Sequence, residues 1–146
     1  MTDTRGEAGF SIIELLIVVT IIGILVATLL VATNSVRTQG RDAQRNTDLG
    51  NILNAFYQYA LDNQNQLPAT ITTTPTNICK TGAASCAGLI GLSVLTTNQT
   101  YLPTLPIDPL STSTNDTKYT ISKNANNRVT LSAPNVEGTT TMSLTK

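Results

Sequence analysis

A single carboxylate, Glu14, lies near the start of an otherwise uncharged segment that runs for 23 residues from Phe10 to Ala32. As an α-helix, at about 1.5 Å per residue, this segment reaches roughly 35 Å, which is enough to cross a bilayer core of about 30 Å. An ionised side chain at the middle of such a helix costs on the order of 2.5 to 3.5 kcal/mol. A segment that only anchors the chain has little use for Glu14, so we expect a partner for its charge or a function that depends on it.

The chemistry open to the rest of the chain is narrow because the sequence contains no histidine. Histidine is the commonest general base and the commonest transition-metal ligand in proteins. The sequence also lacks a nucleophile elbow, a phosphate-binding loop and a recognisable cluster of metal ligands. Asp108 and Asp116 match no ligand spacing, so we expect them to be solvated carboxylates of a turn. We therefore predict no enzyme, no metal site and no cofactor.

Three arginines, Arg37, Arg41 and Arg45, recur at every fourth position after the apolar segment. On a helix they form one basic stripe, which is interpreted most simply as a solvated face or a contact with lipid headgroups. The functional alternative is pairing with acids such as Asp42 or Asp48 of a neighbouring copy. The stripe has no interleaved aromatic residues and the formal net charge of the chain is +0, so we predict no specific nucleic-acid binding.

The element that carries these residues is predicted to be one helix from about Phe10 to about Asp62, because no proline occurs before Pro68. Its polar part, up to about Asp48, shows no apolar face. Its last part has one, formed by apolar residues spaced three or four apart: Leu49, Ile52, Leu53, Phe56 and Ala60. We therefore expect the N-terminal half to project and the C-terminal half to pack against a domain.

The rest of the chain predicts a small α+β head with an antiparallel sheet. The stretch from Gln66 to Pro109 is rich in Thr, Asn, Pro and Gly, and indicates a long loop with at most short elements near Leu89 to Leu95. Lys118–Ser122 and Arg128–Ala133 alternate apolar and polar residues around an asparagine-rich turn, which indicates a hairpin. Thr141–Thr145 is a plausible third strand, so the sheet would pack on the apolar face of the helix.

Residues 9–27, GFSIIELLIVVTIIGILVA, closely resemble the class III signal of type IV pilins and type II secretion pseudopilins. The resemblance rests on a glycine before the cleavage point, a phenylalanine after it, a glutamate four residues further on and the long apolar run. Residues 41–68 are similar to the amphipathic helix of pseudopilin-like proteins, and residues 101–109, YLPTLPIDP, are similar to their L-P-x-D-P loop. The resemblance covers most of the chain and is strongest at the N-terminus.

The resemblance implies a precursor that a prepilin peptidase cleaves between Gly9 and Phe10, followed by N-methylation of the new Phe10 amine. It also implies the ladle-shaped pilin fold, whose long helix forms the filament core. The organisation expected along the chain has four parts: a leader peptide (1–9), a transmembrane and filament-core helix (10–33), a continuing amphipathic helix (34–63) and a globular head (64–146).

Cleavage would also provide a partner for Glu14, because it creates a cation at Phe10. The amine of the same chain would lie one helical turn away, but an interchain pair would penalise the isolated monomer and favour insertion at a fixed axial offset. We favour the interchain pair, which makes Glu14 and Phe10 assembly residues. Many family members have a proline where this chain has Val31, so Gly23 becomes the expected soft point of the helix in a filament.

Cys79 and Cys86 are the only two cysteines and bracket the sequence KTGAAS. Since the resemblance implies that this part of the chain lies outside the cytoplasm, we expect a disulfide between them. A buried pair of free thiols is the alternative. A short disulfide loop would help a head that has little core.

The function that the resemblance implies is assembly: a structural subunit, most simply the major pilin, of an extracellular type IV pilus-like filament. The expected partners are other copies of the chain, the prepilin peptidase, the pilus assembly platform and its motor, and the inner membrane before assembly. The precursor would be a single-pass protein of the cytoplasmic membrane with its leader in the cytoplasm. The alternatives are a major pseudopilin of a type II secretion system and a membrane-anchored adhesin or binding module that does not polymerise.

Overall fold

A computed structural model describes residues 9–138 and 142–145 of the chain. The predicted leader, residues 1–9, lies outside the described residues except for Gly9. Helix α1 (Ile12–Asp62) ends where the sequence predicts and begins two residues after Phe10. It begins there because Ser11 is its N-cap: the Ser11 backbone N–H donates to Glu14 Oε2 over 3.0 Å. Ser11 and Glu14 thus form half of an S-x-x-E capping box.

The chain divides into two compact units between Arg37 and Thr38. In the first unit the large apolar side chains of α1 that the structure describes are exposed, from 47% for Val18 to 81% for Ile12. This part of α1 is long and apolar enough to cross a membrane, and its most apolar stretch of 18 residues has no buried residue. The helix passes through Gly23 without a break, so the predicted soft point concerns the filament and stays a prediction.

The second unit contains an antiparallel four-stranded sheet in the order β1-β2-β3-β4. Its strands are β1 (Thr76–Cys79), β2 (Asp116–Lys123), β3 (Val129–Ala133) and β4 (Met142–Thr145). The predicted β2–β3 hairpin is confirmed, with Thr120 opposite Ser132 and Lys123 opposite Val129. The predicted third strand is β4. The α+β fold class, a long N-terminal helix followed by a small antiparallel sheet, is therefore confirmed.

Strand β1 corrects the expectation of one long loop between residues 66 and 109. The expected short element is present as helix α2 (Ser93–Thr96), but β1 was not predicted. Its four residues show little alternation, and they become a strand because they pair with β2 and because Ile78 bridges to Ile90. Pairing and burial, rather than intrinsic propensity, decide such a short strand.

The core of the second unit lies between the C-terminal part of α1 and the sheet. The helix contributes Leu49, Ile52 and Phe56, each at most 2% exposed, as its spacing predicts. The sheet contributes side chains that are fully buried: Tyr119, Ile121 and Leu131. Ile71, Ile90, Leu92 and Leu95 of the intervening segment close the same cluster. The C-terminal part of the helix therefore forms one side of the core of the head.

Candidate functional site

The N-terminal site consists of Gly9, Phe10, Ser11 and Glu14. Gly9 and Phe10 precede α1 without regular secondary structure, and both are exposed, as is Glu14. The peptide bond between Gly9 and Phe10 is therefore accessible. Ser11, the N-cap residue whose backbone N–H donates to Glu14 Oε2, follows Phe10 directly. Glu14 has a role that the charge argument missed, because its carboxylate caps the helix; the S-x-x-E spacing could have revealed it.

The surface beyond Glu14 carries no charge until Arg37. The large apolar side chains between them include Ile17, Ile21, Ile24 and Leu25, which are each more than half exposed. Exposed apolar side chains on every side of a helix require a lipid or protein environment. This surface can therefore sit in a bilayer or pack against helices of other subunits, and Glu14 lies at its start.

A second group of residues, the ion cluster, ties α1 to the head. It consists of Arg41, Asp42, Arg45, Asp108 and Glu137. The Arg45 side chain is fully buried, and it makes a bidentate ion pair with Asp108 at 2.7 and 3.1 Å. Arg45 Nη1 also donates to Asp42 Oδ1 over 2.7 Å. The bidentate geometry explains how the two charged side chains can be fully buried. Two N–H groups of Arg45 donate to the two carboxylate oxygens of Asp108, so both charges are compensated.

The ion cluster also holds the segment that follows β3. Arg41 makes two hydrogen bonds to the carboxylate of Glu137, at 2.5 and 2.7 Å. Asp42 accepts hydrogen bonds from the backbone N–H groups of Glu137 and Gly138, at 3.1 and 3.0 Å. A methyl group on Gly138 would lie 3.3 Å from Asp42 Oδ2, so this close approach suits glycine. Glu137 and Gly138 are thus fixed to one turn of α1.

These contacts correct two expectations. The arginines do not form one solvated stripe: Arg37 is exposed, but Arg41 is paired and Arg45 is fully buried. Contacts between the polar part of the helix and the head are therefore already present at Arg41, and do not begin only after Asp48. Asp108 is also not a solvated carboxylate, because its side chain has no exposed surface and pairs with Arg45. The acids that pair with Arg41 and Arg45 belong to the same chain.

Asp116 is likewise not solvated. It is 8% exposed, and its Oδ2 accepts a hydrogen bond from Asn77 over 2.7 Å and lies 3.0 Å from Lys118 Nζ. Its Oδ1 accepts from the backbone N–H of Lys118, a residue with a positive φ of 69°. Asp116 therefore stabilises an irregular start of β2 beside β1.

Electrostatics in the ion cluster stabilise the charged forms. The hydrogen bonds of Arg41 hold the pKa of Glu137 below its usual range. The backbone N–H of Glu137 and then the guanidinium of Arg45 lower the pKa of Asp42. The ion pair with Asp108 raises the pKa of Arg45, which therefore stays protonated. A carboxylate with a lowered pKa contributes stability that is lost as the pH falls through that lowered pKa.

Asp48 behaves in the opposite way. Its Oδ2 accepts a hydrogen bond from the Tyr119 hydroxyl over 2.7 Å, but burial raises the pKa of Asp48, and the charge of Asp108 raises it further. Burial beside Asp48 also raises the pKa of Tyr119, so the phenol stays protonated and donates. Ionised Asp48 therefore costs stability, and that cost grows as the pH rises through its raised pKa.

The opposite shifts give a pH prediction. Asp48→Asn keeps an oxygen for Tyr119 and removes the buried charge, so it is expected to raise the Tm at pH 7 by an increment that disappears below the ordinary aspartate pKa of about 3.9. Glu137→Gln is its matched control and is expected to lower the Tm at pH 7. The difference in Tm becomes smaller at acidic pH, where Glu137 of the unsubstituted protein is itself protonated. Thermal unfolding of both variants from pH 3 to pH 7 measures the increments. Increments that do not change with pH would contradict the assignment.

Cys79 and Cys86 are joined by a disulfide, with their Cα atoms 5.5 Å apart. The bridge closes a loop of about eight residues, which contributes about 2 to 3 kcal/mol by the chain-entropy estimate. Cys79 is itself 1% exposed at the end of β1. The bridge therefore fixes the loop 80–85 to the edge of the sheet.

The disulfide is tested by alkylation. The unfolded, unreduced protein is expected to keep its mass in the presence of iodoacetamide, and to gain two alkyl groups only after reduction. Cys79→Ser combined with Cys86→Ser is expected to lower the free energy of unfolding by about 2 to 3 kcal/mol. Two alkyl groups on the unreduced protein would refute the bridge and favour free thiols.

Among residues 9–138 and 142–145, no group of three or more Cys, Asp or Glu side chains could hold a metal ion. Both carboxylate oxygens of Asp108 already accept hydrogen bonds from Arg45. The guanidinium of Arg45 thus takes the place beside Asp108 that a cation would need.

Residues 4–30 match the family model of the prokaryotic N-terminal methylation motif. No curated protein and no solved structure matches the chain. The matched residues contain the whole N-terminal site and most of the exposed apolar helix. The chain therefore carries the class III signal of type IV pilins and pseudopilins, which points to a structural, membrane-anchored precursor rather than an enzyme.

Proposed function

We propose that this chain is the precursor of a structural subunit, the major pilin, of an extracellular type IV pilus-like filament. A prepilin peptidase cleaves between Gly9 and Phe10, the Phe10 amine is methylated, and an assembly platform with its motor moves the subunit from the membrane into the filament. The methylation motif at residues 4–30 is the observation that carries the proposal. In this account residues 10–33 form the filament core and residues 64–146 the surface.

The described part of the chain is consistent with assembly as its activity. The large apolar side chains of α1 that the structure describes before Arg37 are exposed, and moving them from lipid into a bundle of identical helices exchanges one apolar environment for another. Little hydrophobic free energy is gained by that exchange, so packing and the Glu14 pair must favour the filament. Such a balance allows subunits to be extracted from the membrane and returned to it.

A major pseudopilin of a type II secretion system is the second candidate. The similarity of residues 101–109 to the L-P-x-D-P loop of pseudopilins favours it, and the structure gives the Asp of that loop, Asp108, a defined role in binding Arg45. A pseudopilin would be processed in the same way, but it would stay in the envelope as a short filament. The location of the processed protein therefore separates the two candidates.

The proposal is tested by measuring where the mature chain is found. Cells that produce the protein are sheared, and the N-terminal mass is determined for the sheared and the envelope fractions. The proposal predicts abundant sheared protein that begins at a methylated Phe10. Gly9→Leu, which replaces the residue before the cleaved bond, is the control and is expected to leave unprocessed protein in the membrane. Processed protein only in the envelope would favour the pseudopilin.

A further inference from the structure

The loop 80–85, which the disulfide closes, is hydrogen-bonded to the segment that carries Asp108. We call this segment, residues 105–116, the aspartate segment. At its start, the backbone N–H of Leu105 donates to Thr81 Oγ1 over 2.9 Å. Leu105 is only 4% exposed, so the hydrogen bond lies at the edge of the core. One end of the aspartate segment is therefore attached to the disulfide loop.

Lys80 attaches the other end of the aspartate segment. Its backbone N–H donates to the Asn115 carbonyl over 2.8 Å, and its ammonium group donates to the Ser113 carbonyl. Lys80 directly follows Cys79, the bridged residue at the end of β1, which is 1% exposed. The disulfide therefore restrains the backbone next to Lys80, and Lys80 restrains the end of the aspartate segment.

Two further hydrogen bonds connect β1 with Asp108 itself. Thr117 is 1% exposed, and its hydroxyl donates over 2.9 Å to the carbonyl of Ile78, the neighbour of Cys79. The Thr117 carbonyl accepts from the backbone N–H of Asp108, also over 2.9 Å. The Asp108 carboxylate makes the bidentate pair with Arg45 of α1. The ion pair is therefore connected to the bridged end of β1 through buried groups.

The bridge and the ion pair thus restrain the same short segment. Fixing a segment costs conformational entropy, and a second attachment costs less once the first has been made. The effect of one attachment on the free energy of the other is reciprocal. If the disulfide favours the ion pair by some factor, the ion pair favours the disulfide by the same factor.

We propose that the Cys79–Cys86 disulfide and the Arg45–Asp108 ion pair stabilise each other, so that the redox state of the two cysteines sets how firmly the head is attached to α1. Oxidation of the thiols orders the aspartate segment and favours the pair, and reduction of the disulfide removes that restraint. Cys86 is exposed, so a dithiol in solution can reach the bridge. The coupling is a property of the head and does not depend on polymerisation.

The reduction equilibrium of the disulfide tests the coupling. Dithiothreitol gives two electrons and two protons to the bridge and becomes a cyclic disulfide, while Cys79 and Cys86 become thiols. Alkylation measures the ratio of reduced to oxidised full-length chain, in detergent, at defined ratios of reduced to oxidised dithiothreitol. Arg45→Met combined with Asp108→Leu removes the ion pair and leaves apolar side chains in its place. This variant is expected to raise the equilibrium constant for reduction about tenfold.

The matched control removes a different ion pair of the same cluster. Arg41→Met combined with Glu137→Leu also replaces two charges by apolar side chains, but this pair joins α1 to the segment after β3 and not to the aspartate segment. It is expected to change the equilibrium constant for reduction by less than about twofold.

Hydrogen exchange gives the reciprocal measurement without any reductant. The backbone N–H groups of Asp108 and Ser111 are both hydrogen-bonded in the structure. In Cys79→Ser combined with Cys86→Ser they are expected to exchange about tenfold faster than in the oxidised chain, because the aspartate segment has lost a restraint. The amides of the β2–β3 hairpin are expected to keep their rates, since global unfolding is not required.

Three results would overturn the coupling: an equilibrium constant that the variant without the Arg45–Asp108 pair leaves within about twofold of the original, an equal increase in the control, or unchanged exchange of the aspartate segment. Each measurement decides the question by itself if the variant used for the other does not fold. Since all of them use the isolated chain, absence of filaments from producing cells would overturn the proposed function and leave the coupling standing.

Discussion

Arg45→Met is expected to lower the Tm of the head by about 10 to 20 °C. The substitution leaves the carboxylate of Asp108 buried without its partner, and breaking a buried ion pair in this way costs about 3 to 5 kcal/mol, at about 4 °C per kcal/mol for a head of this size. It also removes a donor to Asp42 and the 3.4 Å hydrogen bond from Arg45 Nη1 to Glu137 Oε2 in the segment after β3. Near-ultraviolet circular dichroism of the tyrosines, measured on the mature chain in detergent, follows the head because Tyr119 lies in its core.

Two controls separate the lost pair from a lost side chain. Arg37→Met removes an exposed arginine of the same helix and is expected to change the free energy of unfolding by no more than about 0.5 kcal/mol. Arg45→Met combined with Asp108→Leu replaces both charges and is expected to recover most of the lost stability, because an apolar pair of similar volume has no desolvation cost. A double variant as unstable as Arg45→Met would mean that the ion pair is not the source of the effect.

Glu14→Gln is expected to abolish filament assembly while the precursor remains inserted in the membrane and processed. Glutamine can still cap the helix by accepting from the Ser11 backbone N–H, since the capping box accepts either residue at this position. It has no charge to offer the Phe10 amine of a neighbouring subunit. The comparison of Glu14→Gln with Glu14→Ala therefore tests the charge and the helix cap separately, because alanine removes both and glutamine removes only the charge. Filament counts measure assembly, and the N-terminal mass shows whether the precursor is processed.

The outcome distinguishes three accounts. Loss of filaments in both variants assigns assembly to the charge. Filaments in Glu14→Gln but not in Glu14→Ala would assign the requirement to the helix cap and would contradict the interchain pair. Filaments in both variants would remove Glu14 from assembly. A membrane-anchored adhesin that never polymerises would tolerate both substitutions in its binding function.

Much of the fold follows from local patterns in the sequence. The absence of proline before Pro68 and the spacing of Leu49, Ile52 and Phe56 predict one long helix and the face by which it packs. Alternation around an asparagine-rich turn predicts the β2–β3 hairpin. These patterns are informative because each depends on neighbours within a few positions along the chain.

What the sequence did not predict depends on distant residues. Arg45 lies in a stretch of helix without an apolar face, and its partner Asp108 is 63 positions away, so no local pattern shows that the two are buried together. Strand β1 depends on pairing with β2, about 40 residues later. The capping role of Glu14 is different, because its signal, serine at position 11 followed three residues later by glutamate, is readable in the sequence.

Polymerisation of this chain through its N-terminal helix is best tested by cryo-electron microscopy of filaments sheared from producing cells. We expect fibres of this chain whose core is built from residues 10–33, with a methylated Phe10 amine within ion-pair distance of Glu14 of a neighbouring subunit. The same map shows whether regular helical hydrogen bonding is lost around Gly23, as we predict. Processed protein without fibres would contradict polymerisation, and fibres in which Glu14 meets no cation would contradict the interchain pair.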